Sequence, residues 1–452
     1  MTGKELVLDA IYSKETERTP WVPFVGCHAA KLIGVSAKDF FRSEDLMVEG
    51  VLKANEEYRP DGLPALFDLQ IEAEALGCGL RWAHDNPASV YSHVLKEGKT
   101  IADLKLPTEK DGRFPIILAA MKRIYAALPD IAIYALITGP FTLALHLMGT
   151  DIFFAMYDDP ESMHELMQFC TDVAKKTTDM YTDAGCDIVA VVDPMTSQIS
   201  ADTFAEFVTP YGKQVFEHIR SKGKPGSFFV CGNAKNNIEE MCRCGPENVS
   251  IDENIPLDYV RDICLPKGIS FGGNIKLTVT MLFGTPADNI HDADNCLHIG
   301  GNKGFILAPG CDLPFETPPD NIKVITSRVL GEDLDILGNT DTLDGITWDK
   351  PDYSKIKDKV TIDVITLDSD SCAPCQYMMD AVKEASKKFG DKVEYVEHKI
   401  KQKESVACMI SLGVSNIPTI CIDGKTEYIS IIPPQDELEK RTEKYLAKKG
   451  LA

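Results

Sequence analysis

Eight short apolar runs recur along the first 330 residues: Trp21–Val25, Leu63–Asp68, Ile131–Gly139, Asp187–Asp193, Ser227–Gly232, Val249–Glu253, Ile269–Asn274 and Phe305–Cys311. Strands that are apolar from end to end, rather than alternating, are covered on both faces, which is the condition of a parallel sheet between helices. Amphipathic stretches separate most of them. In Pro160–Ala184, for example, Met163, Leu166, Met167, Cys170 and Val173 fall on one helical face. Eight such units predict an α/β fold, a (β/α)8 TIM-type barrel, with an open doubly wound sheet as the alternative.

In a barrel the catalytic groups stand where parallel strands end. Ser227-Phe-Phe-Val-Cys-Gly-Asn233 runs as a buried strand and stops at a thiol, a glycine and an amide. Gly304-Phe-Ile-Leu-Ala-Pro-Gly-Cys311 repeats the pattern, so Cys231 and Cys311, 80 positions apart, are expected to meet over one barrel mouth. Asp68, Asp193 and Asn274 end other runs. Asp193 is expected as a catalytic group, with Asp68, Asn274 and Asn233 as cofactor contacts; capping of helices is the competing reading of such carboxylates.

The chain of 452 residues exceeds one barrel and leaves room for a smaller module. Net charge is −22, and the last 95 residues hold 14 basic and 16 acidic side chains, so nearly all the excess lies on the first part. Such a surface repels phosphate backbones and anionic lipid, which predicts no nucleic-acid and no membrane partner. Fourteen scattered cysteines and no leader-like opening predict a reducing, cytoplasmic setting. Ile131–Gly149 is broken by Gly139-Pro140 and reads as strand, turn and helix rather than a membrane span. At the start, Thr2-Gly-Lys-Glu5 is a capping box ahead of Leu6, Val7, Ala10 and Ile11.

The alternation stops near Leu330. Residues 331–357 read as a linker and 358–452 as a separate domain. There, Cys372-Ala-Pro-Cys375 sits between a strand and a helix, and a helix N-terminus lowers a thiol pKa. Val414-Ser-Asn-Ile-Pro418-Thr precedes the next strand, and a strand pair spans Asp423-Gly424. The arrangement resembles the thioredoxin/glutaredoxin family, with Ser371 where thioredoxins usually carry Trp. The resemblance implies that Cys372 and Cys375 are redox catalysts and that Pro418 is cis and faces them as a binding residue; a docking-only domain is the plainer alternative.

The opening Thr2–Pro20, the Thr138-Gly-Pro140 turn, Phe229-Val-Cys-Gly-Asn233 and Ala308-Pro-Gly-Cys311 followed by Glu316-Thr-Pro-Pro-Asp-Asn resemble the uroporphyrinogen decarboxylase superfamily, and within it the cobamide-dependent coenzyme M methyltransferases. That resemblance implies a methylated corrinoid (methylcobalamin or a corrinoid on a carrier protein), a small thiol acceptor, and zinc on a His-x-Cys-Gly-Asn and a Pro-Gly-Cys motif. Cys231 and Cys311 match the zinc thiolates, whereas Phe229 stands at the histidine position. The candidate supplementary ligands are Glu253 or Asp252, and His28 or Cys27. Val25-Gly-Cys-His-Ala-Ala30 lacks the arginines of the decarboxylase N-terminal motif. The expected function is methyl transfer between corrinoid and thiol with an attached CxxC redox domain. The rivals are a tetrapyrrole decarboxylase using Asp68 or Asp193 against pyrrole nitrogens, and a corrinoid-binding redox accessory protein.

Overall fold

The computed structural model describes residues 1–332, 346–370, 372–414 and 416–451, in two compact units, Met1–Thr340 and Asp341–Ala452. Ser371, and residues 333–345 of the expected linker, lie outside the described residues.

The first unit opens with helix α1 (Gly3–Ile11), started by the expected capping box: Glu5 N–H donates to Thr2 Oγ1 at 3.2 Å and Thr2 N–H to Glu5 Oε2 at 2.8 Å. Apart from a short antiparallel pair, Leu80–Arg81 with Ser89–Val90, the described strands of this unit are β1 (Gly62–Pro64), β2 (Ala132–Thr138), β3 (Ile188–Val192), β4 (Gly226–Val230), β5 (Asn248–Ile251), β6 (Ser270–Ile275) and β7 (Phe305–Pro309). Strands β1–β7 form one parallel sheet in chain order, with β1 and β7 at the edges.

The run Trp21–Val25 is not a regular strand, because Pro20 and Pro23 lack the N–H groups a ladder needs. It touches both edges all the same. Val22 N–H donates to Leu307 O (2.9 Å), Leu307 N–H to Pro20 O (3.0 Å), and Asp61 N–H to Trp21 O (2.9 Å). A segment bonded to both edges requires a curled sheet, consistent with a TIM-type barrel; an open sheet leaves its edges far apart. Pro64 likewise cuts the run Leu63–Asp68 to a three-residue strand. The stretch 131–149 resolves into β2 and helix α2 (Pro140–Met148), and no helix among the described residues is long and apolar enough to cross a membrane.

Alternation along the strands sends Ala132, Tyr134 and Leu136, then Ile188, Ala190 and Val192, into one core with Phe229, Ile306 and Ala308. Val7, Ala10 and Ile11 of α1 join that core. Lys4 of α1 bonds Asp130 O (2.8 Å) and Asp187 (3.2 Å), both where strands begin, so α1 plugs the N-terminal end. The opposite end is left for chemistry.

In the second unit β8 (Val360–Thr366) is central, parallel to β9 (Val393–Lys399) and antiparallel to β10 (Thr419–Ile422), which pairs with β11 (Lys425–Ile429). Met378 and Val382 of α3 (Ala373–Phe389) and Leu438 and Leu446 of α4 (Gln435–Lys449) pack on Ile362, Val364, Ile420 and Ile422. This unit starts before residue 358: Tyr353 is buried and its hydroxyl donates to Asp363 at 2.7 Å.

Candidate functional site

Three strand ends converge at the C-terminal end of the sheet. Cys231 follows β4, Asp252 and Glu253 follow β5, and Gly310 and Cys311 follow β7. The Cys231 and Cys311 sulfurs lie 2.6 Å apart, both half-buried. Gly232 N–H donates to Asp252 Oδ2 at 2.9 Å, tying the Cys231 turn to the next strand. Gly310 packs so closely on β5 that a Cβ there would lie 2.6 Å from Glu253 N. The other flank is held by Asp312, whose carboxylate accepts from Gly26 N–H at 2.7 Å and Cys27 N–H at 3.4 Å. Each thiol is thus fixed through its neighbour's backbone rather than left on a loose loop.

Phe229 forms the floor. It lies two residues before Cys231, on the same inward face of the strand. Its ring centroid is 5.0 Å from Phe24 and 6.0 Å from Phe67, and Phe24 and Phe67 are 6.1 Å apart. These rings bury large apolar areas in edge and tilted contacts, each favourable by roughly 0.5–1.5 kcal/mol beyond area burial. The floor offers the thiols no nitrogen donor.

Most other expected residues are spent on structure. Asp193 is wholly buried; Oδ1 accepts from Thr142 N–H (2.7 Å) and Oγ1–H (2.6 Å), and Oδ2 from Phe141 N–H (3.2 Å). It therefore caps α2, and burial pushes its carboxyl up to about 6 against those bonds. Asp68 accepts from Gln70 N–H (2.9 Å) and pairs with buried Arg113 (2.7 Å), which also holds Glu74 (2.6 Å) and stacks on Trp82 at 4.8 Å. Glu72, just after Asp68, is buried and accepts from Thr138 N–H (3.1 Å) and Oγ1–H (2.7 Å). Asn274 Nδ2 donates to Asp252 O (3.1 Å) and Ile255 O (2.7 Å). Asn233 is half-buried, and its Oδ1 accepts from Lys235 N–H at 3.3 Å.

His28 is not available as a ligand. It opens the helix His28–Leu32, is fully buried, and bonds Phe315 O through Nδ1 (2.9 Å) and Tyr58 OH through Nε2 (2.6 Å). Cys27 is also buried, its thiol on Leu313 O at 3.5 Å. Glu253 stays at the mouth. Its Oε2 accepts from Leu277 N–H, and burial, reinforced by Asp252, pushes its carboxyl up to about 8.

Catalytic zinc takes three protein ligands plus an open position. The two sulfurs lie 2.6 Å apart with no room for an ion between them, the Glu253 carboxylate is engaged by Leu277 N–H, and both nitrogens of His28 are taken, so fewer than three donors face one point. Among the described residues no group of three or more His, Cys, Asp or Glu side chains is placed to hold a metal. This donor set does not fit the zinc centre that the resemblance implied.

In the second unit, Cys372 is the N-cap of α3 and half-exposed; Cys375, one turn in, is buried, with its sulfur accepting Leu367 N–H at 3.4 Å. Burial raises the Cys375 thiol well above its ordinary pKa. The Ile417–Pro418 bond is cis.

Sequence reading missed Arg113, Phe24, Phe67 and Asp312. Asp312 directly follows Cys311 and was open to notice; Arg113 reaches Asp68 across 45 positions, with no local signal.

A family model described as uroporphyrinogen decarboxylase (URO-D) matches residues 2–330. Among curated proteins, the methylcobamide:CoM methyltransferase MtbA of Methanosarcina acetivorans is 27% identical over 262 residues, 57% of this chain and 76% of the relative. The uroporphyrinogen decarboxylase of Anaeromyxobacter dehalogenans is 24% identical over 308 residues, 65% of this chain and 87% of that protein. Among solved structures, a methyltransferase from Methanosarcina mazei superimposes with a TM-score of 0.68 at 22% identity, over 73% of this chain and 99% of its own.

Proposed function

The chain belongs to the uroporphyrinogen decarboxylase family, and from that premise we propose that its first unit is an enzyme moving a methyl group between a methylated corrinoid and a small thiol. The observation that carries this reading is the pair Cys231 and Cys311, 2.6 Å apart where β4 and β7 end, in a chain similar to a methylcobamide:CoM methyltransferase. The decarboxylase alternative needs cations for a polycarboxylated substrate. The segment Val25–Ala30 supplies none, and the Arg113 guanidinium is committed to Asp68 and Glu74.

The substrate corrinoid supplies an electrophilic methyl carbon bound to cobalt. In the direction of thiol methylation, the acceptor sulfur attacks that carbon, a C–S bond forms, and the cobalt–carbon bond breaks with its electron pair left on cobalt. The acceptor thiol must lose its proton. In this reading Glu253, which follows β5 beside Gly310 and whose carboxyl burial pushes up to about 8, takes it. Phe229, Phe24 and Phe67 exclude water beneath the reacting sulfur. The corrinoid is supplied by a carrier protein, and coenzyme M is the acceptor to test first, since it is named in the relatives.

The second unit, in this reading, is a thioredoxin-like domain. Cys372, half-exposed at a helix N-cap, is the attacking thiol and Cys375 the resolving one. Its task is thiol maintenance.

The test is a spectral titration of the full chain with methylcobalamin and a series of thiols under anaerobic conditions. Loss of the methyl–cobalt band only when an acceptor thiol is present supports the enzyme. Binding without turnover with every thiol leaves the accessory-protein rival. Unchanged turnover in Cys372→Ser/Cys375→Ser under strong reductant supports the maintenance role.

A further inference from the structure

The misfit with zinc has a positive counterpart. We propose that Cys231 and Cys311 form a reversible dithiol–disulfide couple at the barrel mouth, exchanging with small organic disulfides. Their sulfurs are already 2.6 Å apart, and both are half-buried rather than sealed in. Their backbones are held by two independent ties, Gly232 to Asp252 and Asp312 to Gly26. Closing a disulfide there needs no loop to travel. The surroundings favour the product as well: over the Phe229–Phe24–Phe67 floor an uncharged disulfide is better accommodated than two thiolates without a metal. A second close pair supplies a contrast. Cys242 and Cys264 are 3.6 Å apart but buried, out of reach of a disulfide reagent.

The exchange balances without a metal. One cysteine thiolate attacks a sulfur of R–S–S–R, forming a mixed disulfide and expelling R–S⁻. The second cysteine attacks the protein sulfur of that mixed disulfide and expels the second R–S⁻. The two cysteine protons leave on the two R–SH products, and the protein is oxidised by two electrons as the small disulfide is reduced. A dithiol reverses the step. The couple stands apart from the methyl-transfer reading and survives its failure.

The test uses the full-length Cys372→Ser/Cys375→Ser variant, which removes the other dithiol. It is exposed to 2-hydroxyethyl disulfide, denatured, alkylated with iodoacetamide and mapped by mass spectrometry. The expected result is a cross-linked Cys231–Cys311 peptide, two alkylated thiols fewer than in the reduced protein, and full recovery with dithiothreitol. Adding Cys231→Ser or Cys311→Ser should trap a stable mercaptoethanol adduct on the remaining cysteine, because nothing resolves it. The proposal is overturned if both cysteines stay alkylatable under conditions that oxidise Cys372 and Cys375 in the parent chain. It is equally overturned if the purified protein carries one equivalent of zinc that shields both thiols from the reagent.

Discussion

Phe229 stacks 5.0 Å from Phe24, tilted by 30°, one inward position below Cys231. The inward position beneath the thiol turn is thus given to barrel packing. It makes the mouth a place where two sulfurs and one carboxyl of high pKa meet over an apolar surface, and that combination suits proton removal and sulfur chemistry.

Asp193 should behave as a cap rather than as a catalyst. All three donors it accepts from belong to the first residues of α2. Replacing it by Asn puts an NH2 group against one of those donors, at a cost of about 1–3 kcal/mol in stability. Gly139→Ala should be comparable or worse, since the new Cβ would lie 2.3 Å from Asp193 Cβ and Cγ. Urea unfolding measures both. Methyl transfer per folded molecule should be unchanged in Asp193→Asn; a large loss of kcat at full stability would return Asp193 to the chemistry.

His28 should make the first unit acid-sensitive. Burial pushes its imidazole down to about 4, while the unfolded chain takes up the proton near the ordinary value of about 6.5. As pH falls between those two values the unfolded state binds more protons, so the stability is complete above about 6.5 and drains toward pH 4. The gap corresponds to about 3 kcal/mol. Urea unfolding at pH 7 and 4.5 should show a drop in the wild-type chain that exceeds the drop in His28→Gln. Equal drops would mean that His28 is not neutral in the folded protein.

The strands could be read from the sequence because parallel strands covered on both sides are apolar throughout; Pro20, Pro23 and Pro64 cut the first two runs most, and the others lose only residues at their ends. The meeting of Cys231 and Cys311 could be read for the same reason: an apolar run that stops at a thiol has little choice of where to deliver it. The carboxylates could not. Asp193 and Asp68 find their partners 51 and 45 positions away, so capping and pairing leave no local trace. His28 was not legible as a structural group because the chain turns into a helix directly after Cys27, and the imidazole is taken up between Phe315 O and Tyr58 OH.

Glu253 should set the pH profile of methyl transfer. With its carboxyl pushed up to about 8, the base form accumulates as pH rises through that value. kcat/KM for a thiol acceptor of low pKa should therefore climb with an apparent pKa near 8, and Glu253→Gln should lower the plateau and remove that limb. General-base contributions of this kind are about 10²–10⁴-fold. A profile that keeps its limb in Glu253→Gln would assign the proton to the acceptor thiol alone.

Phe229→His should convert the site to a zinc site. The substitution puts imidazole on the inward face two residues before Cys231, giving the two sulfurs the third protein donor that a catalytic zinc needs. The aromatic floor is the cost. Phe229 is 1% exposed and packs on Phe24 and Phe67, so exchanging it for a smaller, polar ring should destabilise the barrel by roughly 2–4 kcal/mol without metal. Zinc should restore much of that, because binding only to the folded state stabilises it in proportion to the logarithm of metal concentration over Kd. Metal analysis after anaerobic purification should give close to one zinc per Phe229→His chain and far less for the wild type, and zinc should raise the unfolding midpoint of the variant alone. A wild-type chain that binds zinc as tightly as the variant would mean that Phe229 never excluded the metal.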